Sequence, residues 1–130
     1  MHQTNKFSKN EKLCGEIRIG KLFAEGNAFI AYPLRVVYNL TEEEKQDAGV
    51  KVLINVPKKK IKKATQRNRI KRLIREAYRL NKSTLQKNCM QQNQILHIAF
   101  TYLAENLSDY KLIEEKIKYS TTKILQHITQ

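Results

Sequence analysis

Cysteine is scarce in this chain, long apolar runs are absent, and one strongly basic stretch is almost without acids. The 130 residues include two cysteines, Cys14 and Cys89. They stand far apart and lack metal-ligand spacing, so they make neither a zinc site nor a disulfide framework. A reducing, cytoplasmic setting is the plain reading. No apolar run approaches the roughly 18 residues needed to span a bilayer. Residues 1–10 are polar and lack the apolar core of a signal peptide. No Gly- or Ser-rich linker and no internal repeat divides the chain. One domain over residues 1–130 is therefore expected, loose over 1–7 and folded over 8–128. Hydrophobic residues make up 41% of the chain, enough for a single core. Ser/His/Asp and Cys/His constellations are missing too. His97 falls inside an apolar run where packing accounts for it, and His2 and His127 lie near the termini. The acids Glu42, Glu43, Glu44, Asp47, Glu105, Asp109, Glu114 and Glu115 are scattered rather than convergent. No catalytic residue and no metal ligand is assigned to this chain.

What is present is charge of one sign in one place. Residues 58–82 hold 12 of the 25 Lys and Arg and one of the 12 acids, Glu76. They carry +11 of the formal net charge of +13, so the rest of the chain is nearly balanced. A pI near 9.9 implies a polyanionic partner, either nucleic acid or an anionic membrane surface.

Periodicity supplies the frame for that charge. Ser8-Lys9-Asn10-Glu11 has capping-box spacing, and Leu13, Ile17, Leu22 and Phe23 suit two short helical pieces that end at Gly26-Asn27. Residues 28–40 read as one strand, with Leu34, Val36, Tyr38 and Leu40 on one face and Pro33 at an edge, bulge or strand start. The acidic segment 41–49 reads as a hairpin loop leading to a second strand over 50–56, antiparallel to the first. A helix is expected over 66–80, then a polar connector over 84–94 with Leu85 and Met90 as anchors. Residues 95–101 form an apolar strand suited to a central position. Ser108-Asp109 caps a last helix to about Ile128, with Leu112, Ile113, Ile117, Ile124, Leu125 and Ile128 as its apolar stripe. The order α-β-β-α-β-α makes an α+β sandwich, a small sheet packed by helices.

Within the basic stretch, Ile70, Leu73, Ile74, Ala77 and Tyr78 share one helical sector. Asn68, Lys71, Arg72, Arg75 and Arg79 fall opposite, flanked by Arg69 and Glu76, and Arg72 and Glu76 are spaced for an i,i+4 pair. Membrane or helix-in-groove binding needs the apolar face free, whereas strands here need it as cover. That favours nucleic acid. Arg forks grip phosphates, and Asn bonds base edges or 2′-hydroxyls. Phe23, Phe29, Tyr32 and Tyr38 suit base stacking or core filling.

Arg67-Asn68-Arg69-Ile70-Lys71-Arg72-Leu73-Ile74-Arg75-Glu76 closely resembles the signature of the bacterial ribonuclease P protein subunit family. The resemblance extends from about Phe7 to Ile128. Lys12-Leu13 and Leu22-Phe23-Ala24-Glu25-Gly26 are similar to the family's first helix and its Gly-ended turn. Pro33-Leu34-Arg35-Val36-Val37-Tyr38 looks like its first strand, and Val56-Pro57-Lys58-Lys59 stands where members often have Ser-Lys-Lys. The resemblance implies a ribonuclease P protein-like fold, a type shared with a ribosomal protein domain, and a left-handed βαβ crossover. It implies a cytoplasmic, non-catalytic protein that assembles with a catalytic RNA. That holoenzyme removes the 5′ leader of precursor tRNA endonucleolytically, with Mg²⁺ held by the RNA. Carried over by motif position, Lys58, Lys59, Arg67, Asn68, Arg69, Lys71, Arg72, Arg75 and Arg79 are the expected RNA-contacting residues. Ile19, Phe23 and Tyr38 are the expected lining of a leader cleft between the first helix and the sheet. Ile19 stands where many members carry a second aromatic. Lys62-Lys63 replaces a Gly-containing turn, and a positive φ there would strain Lys62. A structural RNA-binding protein of ribosomal type and a sequence-specific DNA binder are the competing readings.

Overall fold

The computed structural model describes residues 11–42 and 48–130. Its elements are α1 (Glu16–Glu25), β1 (Asn27–Ala31), β2 (Leu34–Thr41), β3 (Gly49–Asn55), α2 (Ala64–Asn81), α3 (Ser83–Gln91), β4 (Ile95–Tyr102) and α4 (Tyr110–Ile128). The expected α+β sandwich is present, but the order is α-β-β-β-α-α-β-α. Ser8, Lys9 and Asn10 of the expected capping box, and residues 43–47 of the expected loop, lie outside the described residues.

The sheet runs β1-β2-β4-β3. β1 pairs antiparallel with β2 and β2 with β4, while β3 lies parallel to β4. The expectation that 28–40 and 50–56 pair directly is corrected here, because β4 lies between them. Its residues are buried on both faces, which suits the centre of a sheet covered on both sides. The single strand expected over 28–40 is two strands, broken at Tyr32-Pro33. Pro33 has no N–H for a ladder, and its carbonyl accepts instead from Leu103 N–H at 2.7 Å. The connector expected over 84–94 is largely helix α3. Leu85 and Cys89, one turn apart, are its buried anchors, while Met90 is exposed.

The main core lies between one sheet face and the helices α2, α3 and α4. Val36, Tyr38, Val52, Ile98 and Phe100 meet Ile70, Ile74, Tyr78, Ile113 and Ile117 there. Asp109 caps α4 as expected, accepting from Leu112 N–H at 2.9 Å. A smaller core of Leu13, Leu22, Val37 and Ala99 lies on the other face, under α1. Glu11 lies in a 3₁₀ turn, and from Lys12 on the first expected helical piece is instead a strap along the sheet edge. Lys12 bridges to Val52, and Leu13 N–H donates to the Val52 carbonyl at 2.9 Å. This covers part of the open edge of β3.

An ion pair holds that strap. Lys82, at the junction of α2 and α3, sends Nζ to both Glu11 carboxylate oxygens at 2.7 and 2.8 Å. The two residues are only 5% and 8% exposed, so each charge depends on bonded partners in place of water. At the other end of α1, Gly26 is required by close approach. It is the C-cap of α1, as expected, its N–H donating to the Leu22 carbonyl at 2.8 Å, and its φ of −74° is ordinary, so backbone freedom is not what calls for glycine. A Cβ there would lie 2.5 Å from the Leu22 carbonyl oxygen and 2.8 Å from Val37 Cγ1.

Two substitutions test these constraints. Glu11→Gln should lower stability by about 3–5 kcal/mol, because it breaks a buried pair from one side. In urea titration the double variant Glu11→Leu/Lys82→Met should recover much of that loss. Gly26→Ala should cost about 1–3 kcal/mol through overpacking between α1 and β2. An unchanged urea midpoint would show that α1 shifts freely on the sheet.

Candidate nucleic-acid interface

Helix α2 seats its apolar sector as the periodicity predicts. Ile70, Ile74, Ala77 and Tyr78 are buried and Leu73 is partly so. Asn68, Arg69, Arg72 and Arg75 are exposed, and Lys71 and Arg79 are partly exposed. The helix has no acid in its first turn and no side chain capping its N-terminus. Basic residues 62, 63 and 67 gather at that end, where the helix dipole already favours anions.

The lysine-rich approach is anchored rather than loose. Pro57 accepts from the N–H groups of Lys60 and Ile61, each at 3.1 Å, which turns the chain after β3. Ile61 is buried, so Lys58, Lys59, Lys62 and Lys63 stand exposed around a fixed point. Arg67 has a different place from its neighbours. Its Nη1 donates to the carbonyls of Ile61 at 3.0 Å and Lys62 at 2.7 Å, clamping the turn to α2. The positive φ feared for Lys62 is absent, since Asn93 is the one non-glycine with positive φ among the described residues. The turn differs from a glycine turn because Arg67 and Ile61 hold it.

The pair expected between Arg72 and Glu76 is replaced by one between Arg79 and Glu76. Arg79 Nε donates to Glu76 Oε2 at 3.0 Å, one turn along the helix. That hydrogen bond holds the Glu76 carboxyl below its ordinary range. Arg79 is thus partly engaged, whereas Arg72 and Arg75 project from the exposed face.

The expected cleft residues do not all meet. Ile19 packs on the small core under α1, and Phe23, one turn on, is 43% exposed. Tyr38 lies on the opposite sheet face, which corrects its assignment to the cleft. Period 2 along β2 sends Val37 toward α1 and Tyr38 toward α4. There its hydroxyl bonds His127 Nδ1 at 2.5 Å, and its ring meets Phe29 edge-on at 6.0 Å between centroids. Burial pushes its hydroxyl pKa up.

The space beside α1 includes an open groove of about 710 Å³, with Arg18, Lys21, Asn39, Thr41 and His97 among its lining. None of these was picked out as a site residue. The signal was present: positions 39, 41 and 97 alternate with core residues and therefore point to the α1 face. Among the described residues no three His, Cys, Asp or Glu are grouped to hold a metal ion.

Similar proteins were found by sequence and by fold. The family model for Ribonuclease P matches residues 7–125. A ribonuclease P protein component from Porphyromonas gingivalis is 42% identical over 122 residues, covering 93% of this chain and 88% of that protein. One from Chlorobaculum tepidum is 38% identical over 85 residues, 64% of this chain and 55% of that protein. The fold is similar to that of a Staphylococcus aureus RNase P protein, with a TM-score of 0.63 at 19% identity over 88% of this chain and 94% of that one.

The placement of Tyr38 has a measurable consequence. Tyr38→Phe should lower stability by about 0.5–1.5 kcal/mol through the lost bond to His127, and RNA affinity should stay at the wild-type level. A selective loss of RNA affinity in that variant would return Tyr38 to the binding surface.

Proposed function

Because the chain belongs to the ribonuclease P protein family, we propose that α2 and its lysine-rich approach bind the catalytic RNA of the holoenzyme. The protein is a subunit of ribonuclease P and serves the removal of the 5′ leader from precursor tRNA. The finer division of labour is our reading. The RNA carries the chemistry and holds Mg²⁺, and this chain supplies charge neutralisation and substrate positioning. Asn68, Arg69, Lys71, Arg72 and Arg75 grip the RNA backbone, with Lys58 and Lys59 beside them and Arg79 at the far end of the same face. Arg67 acts through the turn it clamps, setting where those lysines stand. Phe23 and Ile19, on the flank of α1, guide the single-stranded leader. The partners are the catalytic RNA and precursor tRNA, met in the cytoplasm. No helix among the described residues is long and apolar enough to cross a membrane.

One observation carries this reading: the rigid, sign-uniform outer face of α2. An Arg fork fixed on a buried helix loses less freedom on binding phosphate than one on a loose chain. It also arrives with its register set.

Reconstitution with the cognate RNA tests it. The protein should lower the Mg²⁺ needed for precursor tRNA cleavage at moderate salt, and an unchanged requirement would sink the reading. Arg72→Ala and Arg75→Ala should each make the dependence of log affinity on log salt shallower by about 0.7–0.9. An unchanged slope would mean that these side chains do not touch phosphate.

A further inference from the structure

Acids vanish from a second part of the chain that the basic helix does not explain. Residues 77–104 contain no Asp or Glu, and neither do residues 116–130. Residues 105–115 separate these two segments, and α3 and the second half of α4 lie side by side. Two open grooves of about 290 and 430 Å³ run along their joint surface, and a third of about 490 Å³ lies beside them on α4 alone. Their lining contains no carboxylate and three lysines, Lys87, Lys118 and Lys123. The rest is largely hydroxyl and amide, with Tyr119 52% exposed.

A helix kept merely soluble would mix signs, and the first half of α4 does so. Glu114 there lies 3.8 Å from Lys118 Nζ and accepts from the Tyr110 hydroxyl at 3.1 Å. Beyond residue 115 the chain contains no acid, and of the lysines there Lys118 reaches back to Glu114. Lys123 rests over aromatic rings instead, its Nζ 4.6 Å from the Phe29 centroid and 5.7 Å from that of Tyr119. Lysines in a lining without carboxylates, an exposed ring, and threonine, asparagine and glutamine side chains together suit RNA: phosphates for the lysines, 2′-hydroxyls for the amides, a base for the ring. The band also continues from the helix already assigned to RNA. Asn81, the last residue of α2, lines one groove together with Lys118 and Thr122.

We infer that the α3–α4 surface is a second RNA contact, gripping the sugar-phosphate backbone of the same catalytic RNA that α2 binds. This rests on the function proposed above. An RNA segment leaving Arg75 and Arg79 meets Asn81 and then Lys118. Lys87 and Lys123 flank its path, and Tyr119 offers an exposed ring to a base.

Equilibrium binding of the full chain to the RNA subunit alone tests this, with Lys87→Gln/Lys118→Gln/Lys123→Gln compared with Arg72→Ala/Arg75→Ala. The triple variant should bind at least tenfold more weakly at moderate salt. Its salt slope should fall by about 2–3, for three lost phosphate contacts. Tyr119→Leu should weaken binding about fivefold, the lower end of a stacked base. At saturating protein, the reconstituted triple variant should bind precursor tRNA as the wild type does. Wild-type affinity and slope in the triple variant, with loss in the arginine variant, would overturn the second contact and leave the proposed function standing. Wild-type behaviour in both would count against the proposed function itself. Weakened binding of precursor tRNA, with RNA-subunit affinity intact, would assign the band to the substrate and overturn our assignment. Lost self-association with RNA affinity unchanged would make it a contact between copies and overturn it likewise. The three lysines are exposed, so thermal unfolding should match the wild type. If it does not, the single variants Lys118→Gln and Lys123→Gln read the same slope.

Discussion

Burial of one side of α2 is the constraint on which the rest depends. Ile70, Ile74, Ala77 and Tyr78 are sealed against the sheet and α4, and that sets the rotation of the helix about its axis. Lys71, Arg72 and Arg75 then have no direction left but outward. The magnitudes decide the outcome. Like-charged neighbours such as Lys71 and Arg75 repel by roughly 0.2–0.5 kcal/mol per pair. Burying each isoleucine contributes roughly 1.5–3 kcal/mol. The helix therefore holds its charge array in place at a modest cost.

The same economy extends to both ends of that helix. At its start, Arg67 binds two carbonyls of the preceding turn, so a lysine-rich segment that would otherwise be loose has a defined path. At its end, Lys82 is drawn inside by Glu11, which ties the strap at the sheet edge to the helical layer. Of the bases in this stretch, Arg67 and Lys82 are thus directed inward to build the frame, and the exposed ones face solvent. Charge count alone does not separate these uses; the acceptors around each side chain do.

The central position of β4 has a similar reach. With both faces covered, it divides the molecule into a large core under α2, α3 and α4 and a small one under α1. Alternate residues of β2 and β4 therefore serve different compartments. Val37, Asn39 and His97 belong with α1, and Tyr38 and Ile98 with the main core. A groove beside α1 and a basic helix on the far side can coexist because the sheet keeps them apart.

The amphipathic rotation of α2, the capping of α4 by Asp109 and the apolar character of β4 were all legible in the order of residues. Each is a local matter, decided by period and by neighbours within one or two turns. The densest run that carries the family likeness, Arg67 to Glu76, was legible for the same reason, since it is contiguous within one helix. Long-range choices were not. Whether β3 pairs with β2 or with β4 depends on which strand needs cover on both faces, a competition across the whole sheet. The face on which Tyr38 lies relative to α1 follows from where α1 docks, which the gap at Gly26 permits. The polar segment after α2 looked like a connector because Leu85 and Cys89 are too few to announce a helix until β3 and α4 enclose them. Lys87, Lys118 and Lys123 line neighbouring grooves only because α3 and α4 lie together. The sequence by itself determined what each element is; tertiary structure decided which elements touch, because side chains distant in the chain become neighbours only when the sheet and helices close on a common core.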